Sequence, residues 1–239
     1  MVEKHHIMTV FDEDLAILND MMAKMAALAE TQLFASTEAL ITRNPSSLDD
    51  IIKRDKELDN LEAVLNDKVI EIIALRAPLA EDLRRVIVAL KVASTLERVG
   101  DLAKNIAKRN KVILSTSLKT QMLPSIKNMT SMVLKMLNKT LDAYVEVDAK
   151  TALEVMYSDI EVDKLNTVIF QNLIEEMSSD QEQLKIGPHL LFVAKNIERV
   201  GDHVTAIAEQ IYFLYHGEMP ERDRPKADQS SSVMVSYSK

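Results

Sequence analysis

The pentad Glu-Arg-Val-Gly-Asp occurs twice in this chain of 239 residues, at 97–101 and, letter for letter, at 198–202. Upstream, Asp55-Lys56-Glu57-Leu58-Asp59 is echoed by Asp159-Ile160-Glu161-Val162-Asp163. The two matches come in the same order with shifts of 101 and 104 residues, and the small difference falls where a loop can absorb it. A chain that repeats itself at this distance must fold as two related units.

The unit is helical. Gly (4) and Pro (6) together fill about 4% of positions, against roughly 12% in average usage, so the turns and phosphate loops of a sandwich or a Rossmann sheet cannot be supplied. Ala, Leu, Met, Glu and Lys, which lose little side-chain freedom in a helix, dominate. Apolar spacing and breakers predict six helices: Phe11–Ile41, Ser47–Leu75, Leu79–Leu114, a fourth from Lys119 or, because Pro124 belongs in a first turn, nearer Leu123 to Val147, Asp148–Met177, and a sixth from Gly187-Pro188 to His216. Thr9 is the expected N-cap of the first. Asn44-Pro45, Arg76-Ala77-Pro78, Ser115-Thr116-Ser117 and Gly217 are the stops. The expected organisation is an N-terminal arm at 1–10, a three-helix bundle at 11–114, a second at 119–216 and a disordered tail at 217–239.

Composition narrows the function. No Cys excludes disulfides, thiol nucleophiles and Cys-ligated metals, and fits a reducing compartment. A net charge of −8 opposes duplex nucleic-acid binding, which needs basic surface, so no nucleic acid is expected as a partner. No apolar run long enough to span a membrane, and no signal core in Met1–Val10, give the expectation of a cytoplasmic protein.

At about 100° per residue, Val88, Val92, Leu96, Val99 and Ile106 form the inner stripe of the third helix, with Glu97, Asp101 and Asn105 opposite. In the sixth, Val193, Ile197, Val200, Val204, Ile207 and Ile211 point inward and Glu198 and Asp202 outward. The second helix buries Leu58, Leu61, Leu65, Val69 and Ile72 and carries Asp55, Asp59, Glu62 and Asn66 on a flank. The fifth does the same with Val162, Leu165, Ile169 and Leu173 against Asp159, Asp163 and Asn166. Short loops make helices two and three neighbours, and five and six, so each pair is expected to share one outward acidic patch. Carboxylates gathered in this way repel, and oxygen donors suit hard cations such as Mg, Ca, Mn or ferric iron. The plainer alternative is a solvated acidic face with ordinary ion pairs to Arg98, Arg199, Lys56 or Lys104.

Histidine weighs against a buried di-iron enzyme. The Glu-x-x-His pattern occurs only at Glu3–His6, ahead of the bundles, and His203 points about 100° away from Asp202. His189 is expected near the start of its helix, and Met21, Met22 and Met25 in adaptable packing.

The twin pentads, each downstream of an acidic x-x-x-Asp helix, resemble the signature of the PhoU family. The stretch Arg76-Ala77-Pro78-Leu79-Ala80-Glu81-Asp82-Leu83-Arg84 is similar to that family's first-half loop. The resemblance covers roughly residues 8–216 in order. It implies two tandem three-helix bundles and a non-enzymatic, cytoplasmic negative regulator of phosphate uptake and starvation signalling. It further implies a metal-binding adaptor between the cytoplasmic subunits of the phosphate ABC transporter and a phosphate-sensing histidine kinase, at the membrane only through those partners, and it allows a homodimer. The metals implied are divalent or trivalent: Mg, Mn, Fe or Zn. Carried over by position, the ligands are Asp55, Asp59, Glu97 and Asp101 in one patch and Asp159, Asp163, Glu198 and Asp202 in the other, with Glu62, Asn105 and Asn166 as supplementary donors. Asn166 stands where the first half has Glu62, and Ala206 where it has Asn105, so the second patch is expected to hold fewer ions or hold them more weakly. Asp82, Arg84 and Arg85, beside the loop joining helices two and three, are candidates for partner recognition. The alternatives are a carboxylate-bridged metallohydrolase of phosphatase type and a purely structural scaffold.

Overall fold

The computed structural model describes residues 2–117, 119–220 and 226–233, with side chains described from residue 10 onward. Six long helices follow in order: α1 (Val2–Ile41), α2 (Leu48–Arg76), α3 (Glu81–Leu114), α4 (Leu123–Glu146), α5 (Ala149–Ser179) and α6 (Gly187–His216). The described residues include no strand. The stretch expected to be an arm continues α1 back to Val2, because nothing between Val2 and Phe11 breaks a helix and Thr9 is passed over as a cap.

The breakers act as their chemistry requires. Asn44 accepts from the backbone N–H of Ser46 and opens a short 3-10 turn, Pro45–Ser47, that leads into α2. Ala77 closes α2 in a left-handed conformation, and Pro78 prevents continuation. Pro124 sits in the first turn of α4, where its missing N–H costs nothing. The Asp148 carboxylate caps α5, accepting from the N–H groups of Lys150 and Thr151.

Helices α1–α3 form one antiparallel unit and α4–α6 another. The inner stripes read from the sequence are buried, with Leu61 and Leu165 packed at the margin. The two units do not keep separate cores. Helices α3 and α6 run antiparallel along the middle of the molecule, and α1 packs against α4, so one apolar cluster draws on all six helices. The seam is pinned at both ends. Arg84 on α3 donates to the Leu214 carbonyl of α6 at 3.3 Å, and Arg109 meets His189 Nδ1 at 3.4 Å. Between α1 and α4, Thr130 bonds to Thr37 and Asn138 to Glu30.

Each pentad glycine marks a close approach. A β-carbon on Gly100 would lie 2.3 Å from Leu58 Cδ2, and one on Gly201 would lie 2.6 Å from Asp159 Oδ1. Glycine in mid-helix, normally unfavourable by about 1 kcal/mol relative to alanine, is here what lets α2 approach α3 and α5 approach α6. That approach places the acidic flanks of paired helices against each other.

Two acidic patches as the candidate functional site

In the first patch, helices α2 and α3 bring Asp55, Asp59, Glu62, Glu97 and Asp101 within electrostatic reach of one another. The flank is less open than helix geometry alone suggests. Asp55 is 4% exposed, Glu62, Glu97 and Asp101 are half-buried, and Asp59 and Asn105 are exposed. Lys104 bridges the gap, donating to Asp55 at 2.5 Å and also to Asp101. Among the described residues Glu97 has no such partner. Burial, reinforced by the charges of Asp101, Glu62, Asp59 and Asp55, pushes its carboxyl up to about 7. Burial likewise raises Asp55, against the pull of Lys104.

The second patch, between α5 and α6, is more enclosed. Asp159, Asp163, Asn166 and Glu198 are all buried, and Asp202 is half-buried. The expectation that the acids point outward is therefore corrected. A residue some 90° from the inner stripe faces the neighbouring helix once Gly201 lets that helix come close. Lys195 Nζ lies 2.8 Å from Glu198 Oε2, and burial raises the Glu198 carboxyl, with Lys195 opposing and Asp202 and Asp228 adding to the rise.

A second correction concerns the chain after α6. The stretch from residue 217 was expected to be disordered throughout, yet residues 226–233 are laid across the second patch. The Ala227 N–H donates to Asp163 Oδ2 at 2.9 Å, and Lys226 Nζ lies 3.7 Å from Asp202. The Asp228 carboxylate accepts from Lys195, Asn166, Thr167 and the Ser230 N–H. The Gln229 N–H reaches Thr167 Oγ1 at 3.0 Å. Residues 221–225 and 234–239 lie outside the described residues. Lys195 and Asp228 carry no mark in the sequence; only the fold brings them to the site.

The donor chemistry of both patches suits a hard cation, and burial together with four neighbouring carboxylates disfavours the ionised form of Glu97. Lysine ammonium groups stand where such a cation would act, and among the described residues no three acidic or histidine side chains converge as metal ligands do. His203 is half-buried at the central seam, and burial followed by the Arg199 and Arg98 charges holds it below its usual range. Of the residues proposed for partner recognition, Arg84 is turned onto the α6 C-terminus, stacking 5.4 Å from the Phe213 ring. Asp82 is exposed, and so is Arg85, which pairs with Glu81 one turn away.

A family model described as the PhoU domain matches residues 22–109 and again residues 126–211, one match on each three-helix unit. The chain belongs to the PhoU family. It is 44% identical over 222 residues to the phosphate-specific transport system accessory protein PhoU homolog of Zymomonas mobilis, covering 92% of this chain and 93% of that one. It is 36% identical over 228 residues to the homolog of the same description from Rhizobium meliloti, covering 95% and 96%. The crystal structure of PhoU from Pseudomonas aeruginosa superposes with a TM-score of 0.84 at 27% identity, covering 87% of this chain and all (100%) of that one. Both PhoU repeats contain their pentad, and residues 226–233 fall beyond the second. No described helix is long and apolar enough to cross a membrane.

Proposed function

We propose that the protein is an accessory regulator of phosphate transport that works by binding: a cytoplasmic adaptor, acting negatively on uptake and starvation signalling, between the phosphate ABC transporter and a sensor histidine kinase. Membership of the PhoU family and relatives described as accessory proteins of the phosphate-specific transport system support the transport role. The kinase arm and the metal arm go further than those descriptions.

The observation that carries the metal arm is the pairing of acidic flanks at matched positions in both repeats, with Glu97 crowded by Asp101, Glu62, Asp59 and Asp55. Asp55, Asp59, Glu97 and Asp101, with Glu62 beside them, would hold a divalent or trivalent ion in the first patch. Asp159, Asp163, Glu198 and Asp202 would do so in the second. When bound, the ion supplies positive charge and open coordination positions for an oxygen of a partner or of phosphate. The protein's own part is to hold the carboxylates on rigid helices and to yield Lys104 or Lys195 from between them. Neither patch includes a histidine, tyrosine or cysteine, so any acid or base there would have to be a carboxyl such as Glu97.

Isothermal titration with Mn, Mg, Zn and iron tests this against Glu97→Ala/Asp101→Ala. One class of sites should vanish in the double variant; unchanged stoichiometry removes the metal assignment. Capture of transporter subunits and kinase from cells grown with and without phosphate tests the adaptor role, and robust phosphatase turnover lost on Asp101→Asn would favour an enzyme instead.

A further inference from the structure

We propose that residues 226–233 are an intramolecular cover on the second acidic patch, which a cation must displace to bind there. The inference rests on the cation-binding reading above and adds its regulation: the first patch is standing, and the second is gated by the chain's own C-terminal segment.

The segment takes up the oxygens that a cation would need. The Ala227 N–H holds Asp163 Oδ2, and Lys226 stands over Asp202. Asp228 grips Lys195, whose ammonium is already 2.8 Å from Glu198, so a third acid is tied to the segment through a shared lysine. Asn166 is engaged as well, through its amide on Asp228. Cover and cation therefore draw on one set of donors and acceptors, and both cannot hold them together.

The way the cover is fastened suits it to release. Its contacts are hydrogen bonds and ion pairs. The Ser230–Ser232 turn buries no residue, and the Lys226 side chain is 70% exposed. A short segment fastened mainly by polar contacts, with Ala227 and Val233 only half-buried, opens at lower free energy than the bundles beneath it. Among the described residues the first patch has no counterpart. Asp55 and Asp101 are bridged by Lys104 from within α3, and no segment from outside the bundle bonds to them. The two repeats thus differ in regulation although they match in their acids. Cation binding at the second would free the C-terminal segment, and with it the wall that Ser230 and Ser231 add to an apolar cleft against Phe170, Leu191 and Phe192.

Hydrogen exchange on the full chain, titrated with Mn, tests the proposal without a variant. Exchange in 226–233 should speed up as the second class of sites fills. In parallel, Lys226→Ala/Asp228→Ala should bind Mn more tightly at that site, about tenfold if the cover is closed roughly nine-tenths of the time, with the first site unchanged. Three results overturn it: exchange in 226–233 that stays constant or slows while the second site fills, affinity in the double variant that is unchanged or weaker, or Mn binding confined to the first patch in both proteins. A weaker variant together with slowed exchange would make Asp228 a ligand supplied to the site instead of a cover. If Mn bound nowhere in either protein, the cation reading would fall together with this one.

Discussion

Replacing Gly100 with alanine should destabilise the protein, although the same change in an exposed helix would stabilise it. Alanine in mid-helix gains about 1 kcal/mol over glycine. Against this, the new methyl carbon would lie 2.3 Å from Leu58 Cδ2 and 3.2 Å from Gln32 Oε1. Relief to an ordinary contact near 3.5 Å requires Leu58 or the whole of α2 to move by roughly 1 Å. Leu58 is fully buried in the shared core and has nowhere to go without displacing its neighbours. Overpacking of this kind costs about 1–3 kcal/mol, and the rigidity of the site argues for the upper end. The net loss is then about 1–2 kcal/mol, which for a chain of this size lowers Tm by roughly 2–8 °C. Thermal unfolding followed by circular dichroism in chelator-treated protein reads it directly. A Tm at or above that of the parent would show that the pentad glycine is not there for helix approach, and the account of how the acidic flanks are brought together would fail with it.

Other outcomes follow from buried polar groups. Asp14, 6% exposed, holds Lys68 at 2.8 Å and Arg76 at 2.9 Å, and these partners pull its carboxyl below the usual range against the opposing effect of burial. Asp14→Ala should cost about 1–3 kcal/mol at pH 7 by urea unfolding, and since a depressed carboxyl stabilises only while ionised, the gap between variant and parent should close in acid. Glu97 titrates the other way: with its folded value near 7 against 4.5 as the reference, stability should fall as pH rises from about 4.5 to 7. Glu97→Gln should flatten that slope in metal-free protein and raise stability at pH 8 by about 1–2 kcal/mol; an unaltered slope would refute the crowding of charge around it. Gln32 is 2% exposed, and among the described residues its amide has no hydrogen-bond partner. Gln32→Met should therefore stabilise by about 1 kcal/mol, and a destabilised variant would mean that the amide is satisfied.

What could be read from the sequence follows its periodicities. The inner stripes of α3 and α6 depend only on a repeat near 3.6 residues, and every residue assigned to them is buried. Pro124 and Gly217 fix their helix ends by local backbone chemistry and behave accordingly. Reasoning along one helix at a time misjudged what depends on a neighbour. Asp163 and Glu198 lie outside the apolar stripe, so they read as solvent-facing, and only the approach that Gly201 permits encloses them. Lys104 and Lys195 sit on opposite sides of their pentads, three residues after Asp101 and three before Glu198, so no repeat comparison aligns them as partners of the acids. The segment at 226–233 has no helical period and a charged, Ser-rich composition, which is how a free tail looks until a surface with matching donors is found for it. Arg84 shows the same limit, because its partner, the Leu214 carbonyl, is 130 residues away.

The central seam has a consequence for how such a chain can be divided. Val99 and Val200 belong to one cluster, as do Met25 and Leu137, so neither half owns the apolar surface that buries it. A fragment ending at residue 117 would expose that surface and should aggregate or pair with a copy of itself. A nick in the link between α3 and α4 should leave the halves together, held by the shared cluster, although Thr120 and Gln121 tie that link to Glu176 of α5. In its symmetry the molecule is a dimer whose two subunits have been joined end to end, and an isolated repeat would have to restore it by self-association.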